Sequence, residues 1–164
     1  MMNTGPWLQA TSQKLAANGY MPLDPSKYQP LGIKFALRKS GFELSKFGMC
    51  DRFFTFAEIE NVDAAGLQNF SSFSFNFANS NKSSPLPNGF FMCTFCFPVV
   101  ITENLHPQLA ASIAQNTPPK HWAAQEMPVV YDIANNNLVY FSGTPLWGAA
   151  YFSGMRSEIE RCLR

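Results

Sequence analysis

The sequence predicts an α+β domain: a mainly antiparallel sheet covered by helices, in the order α-β-β-β-α-β-α-β-β-α. Three observations predict it. Apolar residues recur at helical spacing near both ends of the chain. Between them they alternate or run on as in strands, and clusters of Gly, Pro and Asn punctuate the pattern. The length of 164 residues fits a single domain, and sixteen Phe supply a core. Each Phe contributes roughly 1.5–3 kcal/mol when fully buried.

The first helix is expected after Thr4, with Pro6 in its first turn and Asn18-Gly19 as its stop. Trp7, Leu8, Thr11 and Leu15 share its inward face. Residues 20–30 read as loop, because Pro22, Pro25 and Pro30 each remove a backbone donor. Alternation follows, with Ile33, Phe35 and Leu37 on one face and Lys34 and Arg38 on the other. Phe42 to Leu44 and Arg52 to Ile59 continue the strand signal, with breaks at Ser40-Gly41 and Gly48, so an antiparallel meander is expected.

Residues 62–80 fit two periods. Phe73, Phe75 and Phe77 alternate as in a strand, while Leu67, Phe70, Ser74, Phe77 and Ala78 share a helical face. Asp63 as a cap, and the lack of β-branched residues after Val62 in the first half, favour helix. Residues 79–89 read as a polar connection. Phe90 to Ile101 is apolar at both parities, as expected of a strand buried in mid-sheet, and Pro98 limits its pairing. A short helix with Pro107 in its first turn carries Leu109 and Ile113, and residues 116–119 form a third connection. Residues 128–133 and 138–141 then flank Asn135-Asn136-Asn137, a hairpin turn that tolerates positive φ. The last helix is expected to be capped by Thr144, with Pro145 in its first turn. Phe152, Met155, Ile159 and Cys162 form its buried stripe, and Glu160, Arg161 and Arg164 suit its C-terminal end.

Composition bounds the function. A net charge of +1 gives no field to gather nucleic acid or an anionic membrane. Arg38, Lys39, Phe42, Lys46 and Phe47 match the basic-aromatic strand of RNA-binding sheets only loosely, so nucleic acid is not an expected partner. The N-terminus lacks the pattern of a secretory signal, and the longest apolar run falls short of the about 20 residues that span a bilayer. A cytoplasmic protein with four reduced cysteines is the expectation. Charged residues are only 14%, which leaves apolar surface to meet another chain, so a homodimer is expected.

Cys93-Thr94-Phe95-Cys96 has the spacing of a redox or metal motif, but its flanks demand a strand. Residues three apart on a strand face opposite sides, so the two sulfurs diverge. Cys50 and His106 complete a zinc set only by a strained arrangement. Structural cysteines are therefore expected, with no metal and no cofactor, and His106 reads as a helix cap. Lys120, His121 and Trp122 stand together in a loop, a set that can grip an anionic or planar ligand. The alternative tucks Trp122 into the core and leaves Lys120 and His121 solvated. Residues 143–148 form a strand-to-helix turn whose backbone N–H groups can receive an anion, with Trp147 as packing anchor or binding surface. That turn lacks the glycines of a phosphate or dinucleotide loop, and Phe-Ser-Gly at Phe141 and Phe152 is no nucleophile elbow. Asp51, Glu58, Glu60, Glu103, Glu126 and Asp132 nominate no acid–base pair by spacing, and Asp132 reads as a strand-end residue.

The segments Lys120-His121-Trp122-Ala123-Ala124, Pro128 to Asp132 and Thr144 to Tyr151 together resemble a pattern in small uncharacterised prokaryotic proteins. The resemblance covers the C-terminal third and implies no activity and no catalytic residues. It does imply that the two tryptophan turns belong to one module.

Two function classes follow. The leading expectation is a non-catalytic interaction module that self-associates through apolar surface. The second is a small-molecule-binding domain or enzyme whose pocket uses Lys120, His121, Trp122 and Trp147. A deep pocket uniting those residues favours the second; a flat apolar face with the tryptophans buried apart favours the first.

Overall fold

The computed structural model describes residues 2–46, 48–89, 91–146 and 148–164. Phe47, Phe90 and Trp147, which enter the expectations above, lie outside the described residues. The elements are α1 (Gly5–Ala17), β1 (Met21–Pro22), α2 (Pro25–Tyr28), β2 (Phe35–Glu43), β3 (Gly48–Glu58), α3 (Ala64–Ser80), β4 (Met92–Thr102), α4 (Pro107–Gln115), β5 (Lys120–His121), β6 (Ala124–Glu126), β7 (Val129–Asp132), β8 (Asn137–Tyr140) and α5 (Ala149–Leu163).

The fold is α+β. The strands join one sheet in which β1, β2, β3 and β4 lie side by side. Beyond β4 come β6 and β7, one after the other along the same side, with β5 outside β6 and β8 outside β7. Four pairings are antiparallel and three are parallel, and all three parallel ones belong to β4. Parallel neighbours cannot be joined by a tight turn, so α3 carries the chain from β3 to β4 and α4 from β4 toward β6. The expected meander therefore holds for the β2–β3 pair and ends there.

Every residue of β4 is buried, because helices cover both faces. Phe54, Phe56, Phe95, Phe97, Val99 and Ile101 point to one face, where Leu15 of α1 and Phe152, Met155, Ile159 and Cys162 of α5 complete the largest cluster. Phe53, Cys96 and Val100 point to the other face, under Phe75 and Ala78 of α3, Leu67 and Ile113. The gap between β6 and β7 falls opposite Pro98, which has no N–H to offer a neighbour. Phe54 stacks on Phe97 with ring centroids 4.5 Å apart, and Tyr20 meets Phe54 edge-on at 5.1 Å.

Several local expectations hold. Residue 63 caps α3, the Asp63 carboxylate accepting from the Gly66 N–H at 2.7 Å, so residues 64–80 are helix. His106 caps α4 through Nδ1, which accepts from Gln108 N–H at 3.2 Å. Asn136 takes φ 48° in the β7–β8 turn.

Four expectations are corrected. Residues 20–30 are not all loop: β1 pairs Met21 with Arg38 and Pro22 with Leu37, and Asp24 caps the short α2. An edge strand tolerates proline because its outer side needs no donor. Ser40-Gly41 does not break β2, since both stay paired, with Asp51 and Cys50. Ile33 joins Tyr28, Ala36 and Phe77 on the α3 face rather than sharing a face with Leu37. The start of α5 moves as well. Gly148, in the left-handed region at φ 74°, is its cap, so Thr144 and Pro145 lie outside the helix.

No helix among the described residues is long and apolar enough to cross a membrane. Phe97→Ala should destabilise the protein by about 3–5 kcal/mol, through the lost stack and the cavity left behind. Phe42, 64% exposed, should tolerate the same change within about 0.5 kcal/mol. Urea unfolding of the two variants checks this, and equal losses would contradict the packing described.

Candidate functional site

The β5–β6 hairpin turns at Trp122-Ala123, with Ala123 at φ 48°. Its register pairs Lys120 with Gln125 and His121 with Ala124. Alternation along a strand then sends Lys120 and His121 to opposite faces of the sheet. Gln125 lies opposite Phe95, on the α5 face, and Lys120 shares that face. The His121 ring instead stacks on Phe75 of α3, with centroids 3.9 Å apart. Its Nε2 lies 3.4 Å from one oxygen of the buried Glu126, whose other oxygen accepts from the Ser71 hydroxyl at 3.1 Å. Trp122 is 81% exposed, so it is not a core residue. It lies across Gly89, where any Cβ would collide with its indole, and Gly89 has φ 95°.

A cavity of about 380 Å³ opens at the end of the sheet where β3 and β4 begin. Cys93 and Phe95 of β4 form its floor, Gly148, Tyr151 and Phe152 at the start of α5 one wall, and Lys120 and Gln125 another. Lys46, from the turn before β3, closes it. The cavity thus unites the Lys120-His121 hairpin with the turn into α5. Of the four residues the sequence nominated, Lys120 and His121 line it, Trp122 stands outside at the rim, and Trp147 lies outside the described residues. A smaller hollow of about 290 Å³ shares Lys46, Phe95 and Tyr151 with it and adds Arg52.

The cavity's charge is lopsided. Lys46 and Arg52 both pair with Glu43, so this trio carries one net positive charge. Lys46 Nζ lies 5.2 Å from the Phe95 ring centre and 5.8 Å from that of Tyr151, and the Arg52 guanidinium is 5.6 Å from Phe95. Lys120 adds a further cation, and no described carboxylate lines the wall. Burial pushes the Glu43 carboxyl up, but hydrogen bonds from Arg52 and Lys46 outweigh it and hold it below its ordinary value.

The cysteines divide as strand geometry requires. Cys93 joins the α5-face cluster and Cys96 the α3-face cluster. Cys93 lies directly opposite Cys50 across the β3–β4 pair. The neighbouring Cys50 thiol, helped by Lys46 and Arg52 against burial and Glu43, holds the Cys93 thiol below its ordinary range. Burial pushes Cys96 far above it. His106 follows the far end of β4 from Cys50, so the strained zinc set is not assembled.

Sequence reasoning missed Lys46, Phe95, Gln125, Tyr151 and Cys93 as wall residues. Gln125, a polar residue beside an apolar run, was a signal; the others needed the strand register. No protein-family model, no curated protein and no solved structure matches this chain.

The Glu43 pairs make stability depend on pH. The folded pKa lies below the ordinary 4.5, so their contribution is complete above about pH 4.5 and is lost as pH falls through the folded value. The stability gap between wild type and Glu43→Gln should therefore be widest near neutrality and narrow below pH 4.5. Urea unfolding at a series of pH values checks this, and a gap independent of pH would mean the ion pairs contribute nothing.

Proposed function

We propose that this protein binds a small molecule joining an anionic head to a planar apolar body, in the cavity between the β5–β6 hairpin and the start of α5. One observation carries the proposal: an aromatic-floored cavity bordered by Lys46 and Lys120 with no described carboxylate on its wall. Such a wall favours negative charge, and the N-terminal end of α5 adds to the same sign. Phe95 and Tyr151 supply flat apolar surface for a ring. A volume of about 380 Å³ sits near the lower end of ligand pockets, about 300–1,000 Å³, which points to a small ligand. The four unpaired thiols support a reducing compartment, and the cytoplasm is part of the proposal.

Phenyl phosphate, benzylamine and phenol form a suitable probe set, titrated into isotope-labelled protein and followed by NMR. Phenyl phosphate should give saturable shifts centred on Lys46, Phe95, Lys120 and Tyr151, and benzylamine none there. Lys120→Ala should weaken phenyl phosphate about tenfold, the lower end for a charge-assisted hydrogen bond at an exposed side chain. Equal binding of the cation, or shifts centred elsewhere, would remove the proposal.

A second reading, self-association, is favoured by a specific feature of the same end of the molecule. Phe42, Leu44, Phe91 and Trp122 are 64%, 74%, 71% and 81% exposed. Phe42 pairs with Met49 next to the Glu43–Gly48 pair that ends β2–β3, Gly48 packs on the backbone of the cavity-lining Phe91, and Trp122 lies over the cavity-lining Gly89. Exposed apolar patches of this kind are commonly interaction surfaces. Sedimentation equilibrium should show a dimer that the Phe42→Ser, Leu44→Ser double variant converts to monomer. A monomeric wild type at high concentration would dismiss the second reading and leave the first intact.

A further inference from the structure

The geometry points to a peroxide-reactive thiol pair: we propose that Cys93 is oxidised by hydroperoxides entering the cavity and that Cys50 resolves it into a disulfide between β3 and β4. Three observations converge on it. Cys50 and Cys93 are register partners in a parallel pair, where facing residues lie about 4.8 Å apart. That separation falls within the about 4.4–6.8 Å that a disulfide accepts between Cα atoms. Both side chains lie on the same face of the sheet, in the α5-face cluster, so the two thiols stand side by side.

Access is the second observation. Cys93 lines the cavity, whereas Cys96 and Cys162 are fully buried and line no part of it. Cys50 is 1% exposed, lies beside Cys93 on β3 and does not line the cavity. Oxidant therefore meets Cys93 first, and Cys50 is placed to attack only afterwards. The third is charge: Lys46 lines the same cavity as Cys93 and, with Arg52, favours negative charge there against burial and Glu43. The neighbouring Cys93, together with burial, pushes the Cys50 thiol well above its ordinary range.

The chemistry balances with a hydroperoxide as the oxidant. The Cys93 thiolate attacks one peroxide oxygen, the O–O bond breaks, and Cys93 becomes a sulfenic acid as the leaving oxygen takes up a proton. Cys50 sulfur then attacks the sulfenic sulfur, the S–O bond breaks, and hydroxide leaves with the Cys50 proton as water. Two thiols lose two electrons to one peroxide. The disulfide replaces the Cys93 thiol on the cavity wall and ties the two central strands together. None of this depends on which ligand the cavity takes.

The test treats native, fully reduced protein with hydrogen peroxide, alkylates the remaining thiols after unfolding, and maps the peptides by mass spectrometry. Alkylatable thiols should fall from four to two, with Cys50 and Cys93 recovered as one cross-linked peptide and Cys96 and Cys162 fully alkylated. The cross-link should return to free thiols on reduction. In Cys50→Ala the Cys93 sulfenic acid should persist and be trapped by dimedone. Because the wild-type map decides the matter by itself, a misfolded variant would not rescue the proposal. Oxidation of Cys96 or Cys162 alongside Cys93, further oxidation of Cys93 with Cys50 still free, or no reaction where free glutathione is oxidised would each overturn it.

Discussion

The structure depends on β4 being buried along its whole length with parallel neighbours on both sides. A strand in that position can hold no unpaired polar group, so it must be apolar at both parities, and Met92 to Ile101 meets the demand with Thr94 as its one hydroxyl. Thr94 is satisfied by the Asn88 side chain. Parallel pairing on each side in turn requires two crossovers, and these supply α3 and α4 for one face. The opposite face is left to the terminal helices, which is why α1 and α5 meet there although they lie at the two ends of the chain. Leu15, Phe152 and Ile159 then pack on the same aromatic rows.

The buried acids follow the same rule of satisfaction. Asp51, fully buried, accepts from the Ser83 hydroxyl at 2.7 Å and from the Ser83 backbone. Glu126 accepts from the Ser71 hydroxyl; Glu158 has the Tyr20 hydroxyl at 2.7 Å and Arg161. Asp132 holds the β7–β8 turn through Asn135. Each carboxylate is fixed to a nearby donor, so these residues work in the scaffold. His121 serves the scaffold as well as the cavity wall, since its ring stacks on Phe75 of α3.

The cavity exists because three elements diverge where β4 begins. The chain enters β4 with Phe91 at φ 55° and exposed, the β5–β6 hairpin turns outward at Ala123, and α5 starts only at the left-handed Gly148. Among the described residues, no side chain fills the space between them. Cations gather at this end because Lys46 and Arg52 share the single carboxylate of Glu43 and rest against aromatic faces. Within a sheet of low overall charge, that local surplus gives the end its chemical character.

Where a feature depends on neighbours in sequence, the sequence determined it. The stop at Asn18-Gly19, the caps Asp63 and His106, the Asn turn of β7–β8 and the stripe Phe152, Met155, Ile159 and Cys162 all follow from local sterics and periodicity. So does the divergence of Cys93 from Cys96, a property of one strand. Only the tertiary structure decided the rest. Pairing Met21-Pro22 against β2, making β3 parallel to β4, and setting Cys50 beside Cys93 and Gln125 beside Phe95 are matters of register between distant segments. Hydrophobic patterning is nearly silent there, because a strand buried on both faces gives the same pattern in many registers. The fold class was therefore legible in the residues, while the wall of the cavity was written by the strand partners.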